Sequence, residues 1–135
     1  MDAHQLMQEA IEARKKAYIP YSQFGVGAAL LGEDGYIYHG CNIENAAYSP
    51  SNCAERTALF SAIANGHVPR KFKALAVVGD TEGPIAPCGV CRQVILELCD
   101  SNMPVYLGNL KGEIQETTIS ELLPGAFGPE ALEKA

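Results

Sequence analysis

The sequence has few basic residues and no long apolar run. Its 135 residues include 10 Lys and Arg against 16 Asp and Glu, which gives a formal net charge of −6. Binding to a phosphate backbone depends on clustered Lys and Arg, so duplex or long single-stranded nucleic acid is not an expected partner. No stretch reaches the ~18 apolar residues of a membrane span, and residues 1–10 do not resemble a signal peptide. We therefore expect a soluble, cytoplasmic protein with no membrane partner.

A disulfide framework is also not expected. The five cysteines are odd in number and follow no secretory signal, so they are expected to be metal ligands or buried thiols. Hydrophobic residues make up 47% of the chain and charged residues 19%, which is not the balance of a disordered protein. A chain of this length buries roughly two-thirds of its unfolded surface. We predict one domain over residues 1–135.

Periodicity and turn residues predict an α/β fold. The predicted helices span residues 2–18, 53–65, 89–99 and 120–123, and the predicted strands span 25–31, 36–41, 72–79, 103–107 and 113–118. An Asp-Gly turn joins the first two strands as a hairpin, and the alternation of strands and helices after it favours parallel pairing. The loop before the last strand is too short for a parallel crossover, so the last two strands should be antiparallel. We expect a three-layer α-β-α fold around a five-stranded mixed sheet.

Three of the cysteines are predicted to converge. Cys88 and Cys91 form a Cys-x-x-Cys pair at a strand-to-helix junction, and Cys53 begins the preceding helix. Successive crossover helices present their N-termini at one edge of a parallel sheet. The partial positive charge there lowers the pKa of a thiol, which suits a group that binds metal as thiolate. Zinc is therefore the expected metal, although the Cys88 and Cys91 pair by itself also fits a redox dithiol or a coincidence.

The other two cysteines differ in what their positions allow. Cys99 lies eight residues after Cys91, which is about 12 Å along a helix, so it cannot share a metal ion with Cys91 and fits a buried side chain. Cys41 ends a predicted strand and is not excluded by spacing. Four cysteine ligands would make a structural zinc module, whereas three ligands and a water would make a catalytic site.

Glu55 favours the catalytic alternative. A glutamate in the first turn of a helix is ordinarily explained by its favourable interaction with the helix dipole. Beside an open coordination position, however, the same carboxylate can carry the proton of a water held there. The combination of Cys-x-Glu with Pro-Cys-x-x-Cys is specific, although each half is weak alone.

These motifs make the sequence similar to the cytidine deaminases, specifically the small tetrameric type that acts on free pyrimidine nucleosides. The resemblance covers most of the chain. The matching stretches are Pro20-Tyr21-Ser22, residues 24–30 (FGVGAAL), residues 42–48 (NIENAAY), residues 53–56 (CAER), residues 87–93 (PCGVCRQ), and Leu122-Leu123-Pro124 followed by Phe127.

The resemblance implies a role for each matched residue. It implies one Zn²⁺ per chain on Cys53, Cys88 and Cys91, with Glu55 as the proton shuttle. Asn42 and Glu44 are implied to take the ribose hydroxyls. The other implied substrate-binding residues are Phe24 beside the base, Ala54 through its backbone, Tyr48, and Phe127 reaching from a neighbouring subunit.

The implied reaction is hydrolysis of the 4-amino group of cytidine and 2′-deoxycytidine, releasing ammonia, in pyrimidine salvage by a homo-oligomer that is expected to be a tetramer. Three thiolates on Zn²⁺ leave a net charge of −1, which must be offset. Arg56 is placed to donate to a thiolate sulfur, and Arg92 is a second candidate. The carboxylate of Glu44 repels a phosphate, which favours nucleosides over nucleotides.

Three alternatives remain at this point. A deaminase of the same fold acts on a nucleoside-like antibiotic such as blasticidin S, but residues 42–48 and the tail with Phe127 favour the nucleoside enzyme. An editor of tRNA or single-stranded DNA is disfavoured by the acidic charge. The structural Cys₄ module with Cys41 is made less attractive by Glu55.

Overall fold

The structure is a computed structural model that describes residues 1–132. Its elements, in chain order, are α1 (Ala3–Arg14), β1 (Val26–Gly32), β2 (Ile37–Cys41), α2 (Ala54–Ala64), β3 (Phe72–Gly79), α3 (Gly89–Leu98), β4 (Val105–Asn109), β5 (Ile114–Thr117), α4 (Ile119–Leu122) and a 3₁₀ turn (Pro129–Leu132). The predicted domain over residues 1–135 includes 133–135, which lie outside the described residues. Within residues 1–132, no helix combines the length and the apolar character needed to cross a membrane.

The five strands form one mixed sheet in the order β2-β1-β3-β4-β5. β1 is antiparallel to both of its neighbours, β3 and β4 are parallel, and β4 and β5 are antiparallel. The predicted mixed sheet and its antiparallel last pair are confirmed. The predicted parallel pairing occurs once, because β1 lies between β2 and β3. These two strands still run in the same direction, so the helices that follow them begin at the same edge of the sheet.

Helices cover both faces of the sheet, which confirms the three-layer prediction. On one face α1 buries Leu6, Met7 and Ala10 against the sheet. On the other face α2, α3 and α4 share a larger core with the alternate side chains of β1 and β3. Side chains in a strand point alternately to the two faces, so each central strand contributes to both cores. In β3, for example, Leu75 and Val77 belong to the core on the α2 side, and Ala74 and Ala76 belong to the core on the α1 side.

The first helix is shorter than predicted. It ends at Arg14, not near Tyr18, because the next three backbone N–H groups bond to carbonyls three residues back, as in a tightening final turn. Tyr18 then leaves the helix direction, since its N–H donates to the Asn42 carbonyl over 3.0 Å. The Arg14 side chain also turns away and donates from Nε to the Gly25 carbonyl over 2.9 Å. Tertiary hydrogen bonds therefore override the local helical pattern.

The start of α2 lies unusually close to the sheet. A Cβ atom added at Gly40 in β2 would lie 2.6 Å from the backbone nitrogen of Ala58 and would also collide with the Ala54 carbonyl. Glycine is thus required at this position by the close approach of a helix, not by a turn. The contact fixes the depth at which the first turn of α2 meets the sheet.

Candidate metal centre and active site

Two cysteines occupy the first positions of two neighbouring helices. Cys53 is the N-cap of α2 and Cys88 is the N-cap of α3, and both have extended backbone geometry. Cys91 lies one turn into α3 and is fully buried. Because α2 and α3 follow strands of the same direction, their N-termini meet at one edge of the sheet. The structure brings the three predicted ligands together there.

The three sulfur atoms have the spacing of a metal site. All three lie within 4.8 Å of one another, and the Sγ atoms of Cys53 and Cys88 are 3.6 Å apart. Two thiolates at ~2.3 Å from a tetrahedral zinc ion lie about 3.8 Å apart, whereas disulfide sulfurs lie at about 2.05 Å. All five cysteines are free. The donor set fits zinc, and among the described residues Cys41 and Cys99 are not members of this cluster.

The electrostatics of the cluster call for a cation. Hydrogen bonds from Cys91 and from Arg56 lower the pKa of Cys53 to about 5. The pKa of Cys91 is raised, first by the hydrogen bond it shares with Cys53 and then by burial. The thiols cannot all be ionised at this distance without a compensating charge. A divalent ion supplies that charge and allows all three to bind as thiolates.

Arg56 is directed at the sulfur cluster. Its Nη2 donates to Cys53 Sγ over 3.4 Å. Burial would lower the pKa of the Arg56 guanidinium, but its hydrogen bonds to Cys53 and Cys91 raise it overall. Its Nε is buried and has no hydrogen-bond partner among residues 1–132. Arg56 therefore directs a positive charge at the thiol cluster, as predicted.

Glu55 is buried in the first turn of α2, beside the cluster. Its residue is 3% exposed, and burial raises its pKa to about 7, with a further contribution from the charge of Cys53. A carboxyl group with a pKa near neutrality can both accept and donate a proton at ordinary pH. Its position at the start of a helix therefore has a chemical use beyond the helix dipole.

A cleft of about 640 Å³ opens beside the cysteines. Its walls are formed by Tyr21, Ser22, Asn42, Glu44, Tyr48, Ser49, Ser51, Asn52, Cys53, Arg56 and Val90. The cleft thus unites five of the predicted site residues, namely Asn42, Glu44, Tyr48, Cys53 and Arg56. Within residues 1–132, the wall does not include the other predicted residues of the site, which are Phe24, Ala54, Glu55, Cys88, Cys91 and Phe127.

Asn42 holds the start of β1 with both ends of its amide. Its Oδ1 accepts from the Val26 N–H over 2.8 Å, and its Nδ2 donates to the Phe24 carbonyl over 2.8 Å. An amide nitrogen carries two hydrogens and an amide oxygen two lone pairs. One donor and one acceptor site on Asn42 therefore remain for another group.

Glu44 holds the turn at Tyr21 and Ser22. Its carboxylate accepts from both backbone N–H groups, over 3.0 and 3.1 Å, and from the Ser22 hydroxyl. The hydrogen bond from the Ser22 side chain is the main reason that the pKa of Glu44 is lowered. A carboxylate has about four acceptor sites, so one is left after these three contacts. Glu44 is thus charged, oriented and still able to accept a hydrogen bond in the cleft.

Phe24 and Phe127 were predicted to contact the substrate but are not on the cleft wall, and their surroundings differ. Phe24 directs its ring toward the end of β3, where its Cζ would lie 3.4 Å from a Cβ added at Gly79. Phe127 exposes 62% of its surface, while its carbonyl accepts from Gln93 Nε2 over 2.8 Å. The tail is therefore anchored by its backbone, and the ring of Phe127 is mostly exposed.

Sequence comparisons and structural comparisons agree on the family. The family model described as the cytidine and deoxycytidylate deaminase zinc-binding region matches residues 1–107. The chain belongs to this deaminase family. Cytidine deaminase of Sporosarcina psychrophila is 65% identical over 135 residues, which cover 100% of this chain and 98% of that protein. That of Halalkalibacterium halodurans is 60% identical over 130 residues, covering 96% of this chain and 97% of that one.

Solved structures of the family have the same fold. The crystal structure of cytidine deaminase from Burkholderia pseudomallei superimposes with a TM-score of 0.93 at 57% identity, covering 94% of this chain and all of that one. Cytidine deaminase from Mycobacterium tuberculosis gives a TM-score of 0.81 at 37% identity, covering 95% of this chain and 98% of that one. The predicted resemblance to the cytidine deaminases is confirmed.

The deaminase site also contains residues to which the sequence analysis gave no role. Ser22 links two predicted residues, since its hydroxyl donates to Glu44 and accepts from the Phe24 N–H over 3.0 Å. Tyr48, by contrast, was predicted to bind substrate, and it has a left-handed backbone, with φ of +62°, which is uncommon for a side chain of this size. The matching stretch that contains Tyr21 and Ser22 was the available signal, but it did not indicate their partners.

The prediction that Arg92 is a second candidate to offset the thiolates is not supported by its contacts. Its guanidinium donates from Nε to the Pro87 carbonyl over 2.8 Å and from Nη1 to the Leu122 carbonyl over 2.7 Å. Two carbonyls far apart in sequence converge on this side chain and take up its Nε and Nη1 donors. In this member of the deaminase family, only Arg56 of the two arginines donates to the thiol cluster.

Proposed function

We propose that the protein hydrolyses cytidine and 2′-deoxycytidine to uridine and 2′-deoxyuridine with release of ammonia, in pyrimidine salvage. The observation that carries this proposal is the cluster of three cysteine thiols at two helix starts, with buried Glu55 beside it and a cleft whose wall includes Cys53, Asn42 and Glu44. The close relatives named cytidine deaminase support the same substrate.

Cys53, Cys88 and Cys91 hold one Zn²⁺ per chain in this proposal. Three protein ligands leave one coordination position open, which distinguishes a catalytic zinc site from a structural one. When bound, zinc supplies an activated water as nucleophile near neutral pH. Arg56 and the N-termini of α2 and α3 offset the excess negative charge of three thiolates.

Glu55 moves the protons of the reaction. It accepts a proton from the attacking water and delivers it to ring N3, which makes C4 susceptible to attack. It then takes the remaining proton from the new hydroxyl group on C4 and gives it to the departing amine, so that the C4 carbonyl forms, one water is consumed and one ammonia is released. A pKa of about 7 suits a group that must both accept and donate.

The cleft orients the nucleoside by its sugar. The free donor of Asn42 and the remaining acceptor site of Glu44 complement a ribose hydroxyl, which can accept from one and donate to the other. Phe24 flanks the base, Ala54 contributes backbone hydrogen bonds to it, and Tyr48 forms part of the cleft wall. The charge of Glu44 disfavours a substrate with a phosphate on the sugar.

The protein acts as a homo-oligomer, which we propose to be a tetramer. The exposed ring of Phe127 supports this, because a large apolar side chain on an anchored tail is covered when it enters the cleft of a neighbouring chain. Val90, another exposed apolar side chain, lies on the wall of the cleft. A site of reduced thiolates also fits the cytoplasm as its location.

The activity is tested by the ultraviolet absorbance change when purified protein meets cytidine, together with the zinc content of the same sample. Glu55→Gln keeps the shape of the side chain but cannot shuttle a proton, so turnover should fall by ~10²–10⁴ while zinc is retained. Glu97→Gln removes an exposed carboxylate on α3 and serves as the matched control. Near-normal turnover of Glu55→Gln would make Glu55 a helix-start carboxylate only.

Two further measurements address the sugar and the subunits. Cytosine without a sugar should be a much poorer substrate than cytidine, and equal rates would remove the roles of Asn42 and Glu44. Phe127→Ala chains mixed with Glu55→Gln chains should regain activity in hybrid oligomers, since an intact cleft then receives an intact neighbouring ring. A fully active monomer would contradict the composite site.

A further inference from the structure

Arg92 holds both carbonyl groups that flank Cys88. Its side-chain Nε donates to the Pro87 carbonyl over 2.8 Å, and its backbone N–H donates to the Cys88 carbonyl over 3.0 Å. The Pro87 carbonyl lies in the same rigid peptide plane as the nitrogen and Cα of Cys88. A donor that fixes this oxygen therefore fixes the direction in which the cysteine leaves the backbone.

The same guanidinium also contacts helix α4. Its Nη1 donates to the carbonyl of Leu122, the last residue of α4 and one of the carbonyls that a helix end leaves without an intrahelical partner. Within residues 1–132, Arg92 has no carboxylate in salt-bridge range, so its charge is directed at these carbonyls. Hydrogen bonds from a charged donor are about twice as strong as neutral ones.

The next residue of α3 extends this connection. Gln93 Nε2 donates to the Phe127 carbonyl over 2.8 Å. Residues 92 and 93 thus attach the C-terminal segment 122–127 to the helix that carries Cys88 and Cys91. The two attachments differ in one respect, because only Arg92 also contacts the peptide before Cys88.

We propose that Arg92 is a positioning residue for Cys88 and joins the metal site to the C-terminal segment. The guanidinium sets the peptide plane of an otherwise exposed ligand and anchors α4 with the same planar group. This inference rests on the proposed zinc site, and it assigns to Arg92 a role that needs no contact with sulfur or substrate.

The test measures zinc transfer from each folded protein to an excess of the chromogenic chelator 4-(2-pyridylazo)resorcinol. Arg92→Met keeps the aliphatic stem and removes the donors, so zinc should be lost ~10–100-fold faster, as for other partners that orient a metal ligand. Arg92→Lys retains the charge without the planar fork and should fall between the parent and Arg92→Met. It also keeps the test valid if Arg92→Met does not fold.

Two variants serve as controls. Gln93→Leu releases only the Phe127 carbonyl, so it should leave zinc transfer unchanged while making the tail more susceptible to limited proteolysis. Arg70→Met removes an arginine that donates to the Glu97 carbonyl over 3.3 Å near the other end of α3. It should leave both measurements within about twofold of the parent.

A spectroscopic measurement separates positioning from general stability. In the Co²⁺-substituted protein, the thiolate-to-metal absorption reports ligand geometry, and Arg92→Met should shift it. A lower melting temperature with an unchanged spectrum and unchanged zinc transfer would overturn the inference, as would equal zinc loss from Gln93→Leu. If the parent itself bound no zinc, the proposed function would fail instead.

Discussion

Helices α1 and α2 begin in chemically different ways. At α1 the Asp2 side chain accepts from the Gln5 N–H over 2.8 Å, and the Gln5 side chain accepts from the Asp2 N–H over 2.9 Å, which forms a complete capping box. At α2 the N-cap is Cys53, whose side chain makes no capping hydrogen bond and instead contacts Cys88 and Arg56. The side chain at the start of α1 caps its own helix, whereas the side chain at the start of α2 belongs to the cysteine cluster.

At the start of α2, other contacts take the place of the missing capping hydrogen bond. A good N-cap side chain contributes about 1 kcal/mol, which α2 forgoes. Its first turn is held by packing instead, since Ala54 and Ala58 lie directly against Gly40 of β2. Thr57 adds a hydrogen bond from its hydroxyl to the Cys53 carbonyl over 3.1 Å. Tertiary contacts therefore fix the ligand in place while the thiol stays available.

The largest effect on the cysteine site is expected from removing one of its metal ligands. The zinc affinity of Cys91→Ala should fall by more than the ~10–100-fold expected when a hydrogen-bond partner of a metal ligand is removed, because here a direct bond to the metal is removed. Metal analysis of the purified protein measures this. Cys99→Ala is the matched control. Cys99 is also buried, directly after the last residue of α3, but it lies outside the cluster. It should lower stability by about 1 kcal/mol and retain zinc.

The charge at the site is probed by Arg56→Gln. This change removes the donor to Cys53 and leaves the thiolates less compensated, so zinc affinity should fall by ~10–100-fold. Competition with a chelator measures the affinity, and turnover should decrease in the same variant. If both values stay at the level of the parent, the cluster is compensated by the helix N-termini alone.

The packing that replaces the cap is tested by Gly40→Ala. The new methyl group collides with the backbone at the start of α2, which should destabilise the protein by ~1–3 kcal/mol and speed the loss of zinc. Gly83→Ala is the control, because a Cβ there meets no atom within 4 Å. Urea unfolding compares the two variants. Equal stabilities would show that α2 can move away from the sheet without cost.

The sequence predicted the elements better than the contacts between them. The bounds of β3 were predicted to the residue, since a buried apolar run ends at Gly79, and the three thiols followed from helix starts after strands of one direction. The end of α1 was predicted four residues too late, because the carbonyls of Gly25 and Asn42, which accept from Arg14 and Tyr18, are distant in sequence.

The same limit applies inside the site. Asn42 and Glu44 were assigned to the substrate, and nothing local indicated that their side chains also hold residues 21–26. Arg92 was predicted as a second candidate to offset the thiolates, yet the carbonyls that its side chain contacts lie 5 and 30 residues away. Hydrogen bonds of this kind depend on which loops meet in three dimensions, and residue type and spacing do not determine that.

The smallest effect is expected at the start of α1. Asp2→Ala removes the side-chain acceptor of the capping box, so unfolding free energy should fall by about 1 kcal/mol, measured in urea. Zinc content and turnover should be unchanged, since Asp2 caps a helix on the opposite face of the sheet from the cysteines. Asp2→Asn should restore most of the loss, because asparagine is an equally good N-cap. A drop in zinc content with Asp2→Ala would mean that the two helix starts are coupled through the sheet, and the separation between a structural and a functional start would then be wrong.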